Sequence, residues 1–269
     1  LSLSTVLFLF LVHLGLGVVF TLPLVGRTAG VKFFRFNAGL AAGLIAIGYA
    51  FRPEPSDASP AIARGIATAA LLATETALVV YWIIIGRVLA RLRPLLMGVM
   101  VAGGLVALVA QGVEIAALSR APIVLTVISF LTSACLLGGA STAMILGHWY
   151  LVIPSMDVAL LQGMVRFHIG SVVVRTAVVA AAVFLAIVSW EPGAIVNFER
   201  YILSSGGVFF WQRVLFGLAG PLVLSYLTWE TAKIRSTQSA TGILYVDLFT
   251  VIVGEILAKY LLLSVAVPV

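Results

Sequence analysis

The side chains with the most chemical capacity in this sequence are ionisable residues set inside long apolar stretches: His13, Glu75, Glu114, His148, His168, Arg175, Arg213, Asp247, Glu255 and Lys259. On insertion scales a charged group at the centre of a membrane span costs about 2.5–3.5 kcal/mol, so each of these residues calls for a partner or a function. Glu75, in Ala73-Thr74-Glu75-Thr76, lies near mid-depth of its stretch and is the most expensive acid in the chain, with Tyr81-Trp82 about two turns further on. A carboxyl in low-dielectric surroundings can exchange a proton near neutral pH, which suits a proton acceptor or hydrogen-bond partner for a membrane-soluble substrate. The alternative is a structural carboxyl, kept neutral or paired with His13 at similar depth.

The His148–His168 pair and Arg213 each have two readings. His148 and His168 lie on consecutive helices within about two turns of the inner surface. They either ligate one b-type haem or are interfacial histidines bonded to backbone or water, with Trp149-Tyr150 as a neighbouring aromatic belt. Glu114 and Glu255 fall toward the outer ends of their helices, within reach of water. Lys259, one turn after Glu255, has the spacing of a structural ion pair. Arg213 in Trp211-Gln212-Arg213 either snorkels outward or neutralises an acid across the bundle. The single cysteine, Cys135, excludes an intrachain disulfide and an iron–sulfur cluster held by this chain alone.

The elements that must position these groups are set by composition. Of 269 residues, 62% are hydrophobic and 10% charged, and the mean hydropathy is +1.19. A bilayer core about 30 Å thick takes roughly 20 apolar residues per helix. Eight stretches qualify, near 3–22, 34–51, 62–88, 95–118, 122–152, 167–190, 207–229 and 239–263. Unsatisfied backbone groups are too costly in lipid for anything but helices over such lengths, so the expected fold is all-α integral membrane with eight transmembrane helices. The first stretch lacks a basic n-region and a small-residue cleavage site and reads as a mature helix.

Net charge is +6, but the basic residues punctuate connections and do not line one face, which points to topology and away from nucleic acid. Arg27, Lys32 and Arg35 follow the first helix; Arg87, Arg91 and Arg93 follow the third; Arg166 precedes the sixth; Lys233 and Arg235 follow the seventh. The alternate connections hold Arg52, Arg64, Arg120 and Arg200. The positive-inside rule then predicts a multi-pass protein with both termini outside. A repeat is also visible. Pro23 precedes Arg35-Phe36 by the same interval that separates Pro154 from Arg166-Phe167, Gly39 and Gly170 fall in register, and Gln111-Gly112-Val113-Glu114 matches Val253-Gly254-Glu255. Residues 1–120 and 121–269 are therefore expected to form two parallel-repeat four-helix bundles. The two longer connections, Arg52 to Arg64 and Trp190 to Gly207, are both external and too short for a domain.

The last two helices carry Phe210-Trp211-Gln212-Arg213-Val214-Leu215, Gly220-Pro221-Leu222 and Val253-Gly254-Glu255-Ile256-Leu257-Ala258-Lys259-Tyr260. Together with Glu75, Arg91-Leu92-Arg93-Pro94 and Gln111-Gly112-Val113-Glu114, these segments resemble the NrfD-type membrane anchors of polysulfide and dimethyl sulfoxide reductases. The resemblance covers about half the chain. It implies a quinone-interacting subunit without haem, built from two four-helix bundles and docked to an iron–sulfur or molybdenum partner. Glu75 matches the third-helix glutamate that serves quinol chemistry in the dimethyl sulfoxide reductase anchor. Tyr49-Ala50-Phe51-Arg52-Pro53 stands where that anchor has a histidine-containing segment, and Gly147-His148-Trp149-Tyr150 has no counterpart in the pattern.

The resulting expectation is a subunit that binds quinol, such as menaquinol, from the membrane pool. Glu75 and His13 would handle protons, Tyr81, Gln111, Glu114, His148 and His168 would be candidate binding residues, and no metal is bound. The alternatives are a small-solute or ion transporter with these acids and histidines lining a path, a b-type cytochrome using His148 and His168, and a purely structural anchor. In the second half Leu224 stands loosely opposite Glu75, which favours a single site in the first half.

Overall fold

The computed structural model describes residues 3–54, 60–87, 90–153, 156–188 and 198–269. Pro154 and Trp190, named above for the repeat and the second long connection, lie outside the described residues. The described elements are helical, and eight of them are long and apolar enough to cross a membrane. They are α1 (Leu3–Thr21), α2 (Gly30–Ala50), α3 (Ala61–Ile84), α4 (Arg93–Ser119), α5 (Ile123–Val152), α6 (Val158–Val188), a seventh span described below, and α10 (Thr237–Val265). A short helix, α7 (Phe198–Ile202), precedes the seventh span. That span runs Ser205–Lys233 and consists of α8 (Val208–Val214), a π-turn (Leu215–Ala219) and α9 (Gly220–Lys233).

Two helix ends differ from the hydropathy reading, each for a local reason. α3 stops at Ile84 because Gly86 takes a left-handed conformation, φ 81°, that ends the helix. α6 starts at Val158, well before the expected 167, because the Asp157 carboxylate accepts a hydrogen bond from the Ala159 amide at 2.9 Å and caps the first turn. The nine residues gained are mostly apolar, interrupted by Gln162 and Arg166, and they lengthen the span to Val158–Val188.

Packing follows chain order. α1 meets α2 and α4, α2 meets α3 and α3 meets α4; in the same way α5 meets α6 and α10, α6 meets α9 and α9 meets α10. α1 and α5 then pack on each other between the two groups. The most apolar stretch of α1 is 83% buried, against 28–39% for α2, α3, α4, α6 and the seventh span, so α1 is the axis and the others turn large apolar side chains such as Phe184 and Phe216 outward to lipid.

Lipid tails are as apolar as leucine, so burial alone does not hold such helices together. Close backbone approach and polar contacts do. α1 and α5 cross where Gly17 faces Gly138: a Cβ on Gly17 would lie 2.2 Å from the Ala134 carbonyl oxygen, and one on Gly138 would lie 2.1 Å from that of Gly17. One turn away the Thr21 and Thr142 hydroxyls meet at 2.6 Å.

Candidate functional site

The seventh span contains Pro221, which has no amide hydrogen to give the carbonyl four residues earlier, that of Gly217. The helix widens into the π-turn at Leu215–Ala219, and Arg213 Nη1 donates to the Gly217 oxygen at 2.9 Å in place of the missing amide. Gly217 must be glycine here, since a Cβ would lie 2.3 Å from Arg213 Nη1 and 2.5 Å from Gly254 Cα on α10. This close crossing lets the arginine head reach the centre of the second half.

There it meets Glu255. Arg213 Nη2 lies 2.8 Å from Glu255 Oε1, Arg175 Nε from α6 lies 3.0 Å from the same oxygen, and Lys259 Nζ lies 2.9 Å from Oε2. Arg175 also donates to Ser129 Oγ at 2.7 Å and to the Val269 carbonyl at 3.1 Å. All four ionic side chains are at most 3% exposed. The Glu255–Lys259 spacing is the expected ion pair, but the expected contact of Glu255 with water is absent. The acid sits in the core because three cations converge on it from three helices. Of the two readings open for Arg213, the structure shows neutralisation of an acid across the bundle.

The cluster continues toward the first half. Lys259 Nζ donates to Ser133 Oγ on α5, and Ser133 Oγ lies 3.5 Å from His13 Nδ1 on α1. At that distance the contact has to shorten before it can carry a proton. The fully buried His13 ring stands edge-on to Phe130 at 4.5 Å, and the Gln111 side chain from α4 is beside it. Gln111 and Glu114 line a crevice of about 20 Å³ together with Tyr49, Arg52 and Thr68, room for about one water. Glu114 pairs there with Arg64 at 2.9 Å. Polar side chains thus run from this crevice through Gln111, His13, Ser133 and Lys259 to Glu255, across both halves. Ser129 and Ser133 were not singled out from sequence, although two serines four residues apart in an apolar helix are a usable signal for a polar face.

Glu75 stands apart from this line. His13 faces α5, and among the described residues no ion pair includes Glu75. The carboxyl is half-buried, its Oε2 is buried with no hydrogen-bond partner, and its neighbours one turn away, Leu72 and Val79, are exposed on the lipid side. The Glu75–His13 pair is therefore not formed. Tyr81, 3% exposed, belongs to a different pocket near the basic connections, with Arg27 and Arg93.

The two histidines proposed for haem have separate surroundings. His148 is exposed near the end of α5, with Nδ1 2.9 Å from the Tyr245 hydroxyl. His168 is fully buried, almost three turns inside α6 now that the helix starts at Val158, and its Nε2 lies 2.6 Å from Asp247 Oδ2. Those atoms are close but not aligned for a hydrogen bond, and His168 Nδ1 and Asp247 Oδ1 are buried without partners. Tyr245 and Asp247 are two positions apart on α10, about 200° around its axis, so the imidazoles engage different faces of that helix. The residues do not fit a bis-histidine haem. Among the described residues no group of three or more His, Cys, Asp or Glu is placed to hold a metal.

The structure thus places His13 and Gln111 together, with Glu114 at the mouth of the same line, and disperses Glu75, Tyr81, His148 and His168. Asp247 and Arg175 emerge as partners in buried polar contacts from residues that the sequence marked only as costly. Searches against protein-family models and against curated proteins return no match to this chain.

Proposed function

We propose that this multi-pass membrane protein is a quinone- or quinol-binding subunit of a prokaryotic inner-membrane oxidoreductase, working with an iron–sulfur or molybdenum partner that exchanges the electrons. The observation that carries the reading is Glu75: a carboxyl within a membrane span, at the lipid edge of α3, with a buried oxygen left without a protein partner. A lipid-borne quinol reaching the half-buried carboxyl from the bilayer would hydrogen-bond to it once the side chain turns outward, and the carboxylate would accept the hydroxyl proton as electrons leave for the partner. The short segments resembling NrfD-type anchors support the same reading. The polar line through Gln111 and His13 supplies titratable groups inside the bundle for proton handling.

The test is quinol oxidation or quinone reduction by the complex purified in mild detergent. Glu75→Gln keeps size and hydrogen bonding but cannot accept the proton. It is expected to lower kcat by about 10²-fold or more, the usual scale for loss of a general base, while the protein stays folded. Unchanged turnover in the variant would remove Glu75 from the chemistry.

A second reading, proton-coupled transport of a small solute, is favoured by the buried His168–Asp247 contact, which the quinone reading leaves unused. Proteoliposomes without any redox partner separate the two. Solute-dependent proton uptake that is lost in Asp247→Asn supports transport, and its absence leaves the pair a structural one.

A further inference from the structure

On the side that carries the α1–α2 and α3–α4 connections, the first half holds a pocket of about 390 Å³. Its walls are mostly apolar, including Phe34, Ile85 and Met97, and its polar lining consists of Arg27, Arg93 and the Tyr81 phenol, with no acid. Arg27 is exposed at the mouth. Arg93 is half-buried, its Nε is buried with no hydrogen-bond partner, and Tyr81 is within electrostatic reach of both guanidinium groups. Among the described residues neither arginine is in an ion pair.

Two cations facing a half-enclosed apolar cavity without a counter-charge form an incomplete arrangement. A guanidinium with unfilled donors matches phosphate oxygens, and the apolar walls match hydrocarbon. Val31 lines the same pocket and is 42% exposed, so the cavity reaches the outer surface of the bundle. The basic connections also place this end at the leaflet face where anionic lipids attract Lys and Arg. One molecule carries both features.

We propose that this pocket is a binding site for an anionic phospholipid, with its phosphate between Arg27 and Arg93 and its chains against Phe34, Ile85 and Met97. Tyr81 supplies a hydroxyl at the phosphate's edge. The site is independent of the quinone reading, because Glu75 is not among its lining residues.

Native mass spectrometry of the detergent-purified protein tests it, with dioleoylphosphatidylglycerol and dioleoylphosphatidylcholine as probes and inorganic phosphate as competitor. Phosphatidylglycerol is expected to bind about tenfold more tightly than phosphatidylcholine, and 10 mM phosphate to leave its adduct in place. Arg27→Gln and Arg93→Gln are each expected to weaken that preference severalfold and the double variant to abolish it. Arg235→Gln, a basic surface residue on the α9–α10 connection, is expected to leave it unchanged. Arg27 is exposed, so its variant keeps the test valid if Arg93→Gln fails to fold. Equal retention of the two lipids, or a wild-type preference in Arg27→Gln, overturns the site; displacement by phosphate overturns the lipid as its ligand.

Discussion

Replacing Glu255 with leucine is expected to abolish recovery of folded protein. The substitution strands Arg175, Arg213 and Lys259, each at most 3% exposed, around a centre with no counter-charge. Removing one partner of a buried ion pair costs about 3–5 kcal/mol, and three cations share this acid. Against a folded-state stability of roughly 5–15 kcal/mol, that loss is decisive. Lys259→Met is expected to behave differently, because it removes an excess cation and leaves Glu255 held by two arginines. Its thermal unfolding midpoint should stay within a few degrees of wild type. Size-exclusion profiles and thermal unfolding in detergent check both variants. A monodisperse Glu255→Leu protein would show that the cluster does not hold the second half together.

An effect of similar size is expected at the crossing of α1 and α5. Gly17→Ala places a methyl 2.2 Å from the Ala134 carbonyl oxygen, and Gly138→Ala places one 2.1 Å from the oxygen of Gly17. The obstructing atoms are backbone on both sides, so no rotamer change relieves the overlap and the helices must separate. Separation breaks the Thr21–Thr142 contact and lengthens the Ser133–His13 approach. Both variants should lose most folded protein. Gly43→Ala and Gly163→Ala meet open space and are expected to be neutral or slightly stabilising, since alanine is favoured over glycine in a helix by about 1 kcal/mol. Expression and melting of the four variants, measured side by side, distinguish a backbone clash from a general sensitivity to helix substitution.

The eight spans were legible because their signal is local: runs of about 20 apolar residues are unmistakable whatever they pack against. The start of α6 was not, since Gln162 and Arg166 break the apolar run ahead of Phe167, although Asp157 before Val158 is a readable cap. The Glu255–Lys259 pair was legible from its spacing, whereas its burial depended on Arg175 and Arg213, which arrive from distant helices. Sequence periodicity does not say which face of one span meets which face of another. For the same reason a shared haem between His148 and His168 stayed open as one of two readings, although His168 meets Asp247. One long-range feature did leave a local trace. Gly217 four residues before Pro221 announces a carbonyl without its helical donor, and Arg213 four residues earlier announces a replacement.

The site is less legible than the fold because its members are held by different helices at different depths. Glu75 stood out by cost and by the segment it shares with the resembling family, and the structure leaves its buried oxygen without a partner. His13 seemed available to it by depth, but the orientation of α1, set by the Gly17–Gly138 crossing, turns the imidazole toward Ser133 and Gln111. The line through His13 and the carboxyl at the lipid edge are therefore two separate features of the bundle.

Labelling with a photoreactive azidoquinone in native membranes, followed by peptide mapping, tests the central claim most directly. The account predicts saturable labelling on α3 near Glu75, competed by excess quinol and reduced in Glu75→Gln. Labelling that is unsaturable, or that falls on other helices and is indifferent to Glu75, would contradict it.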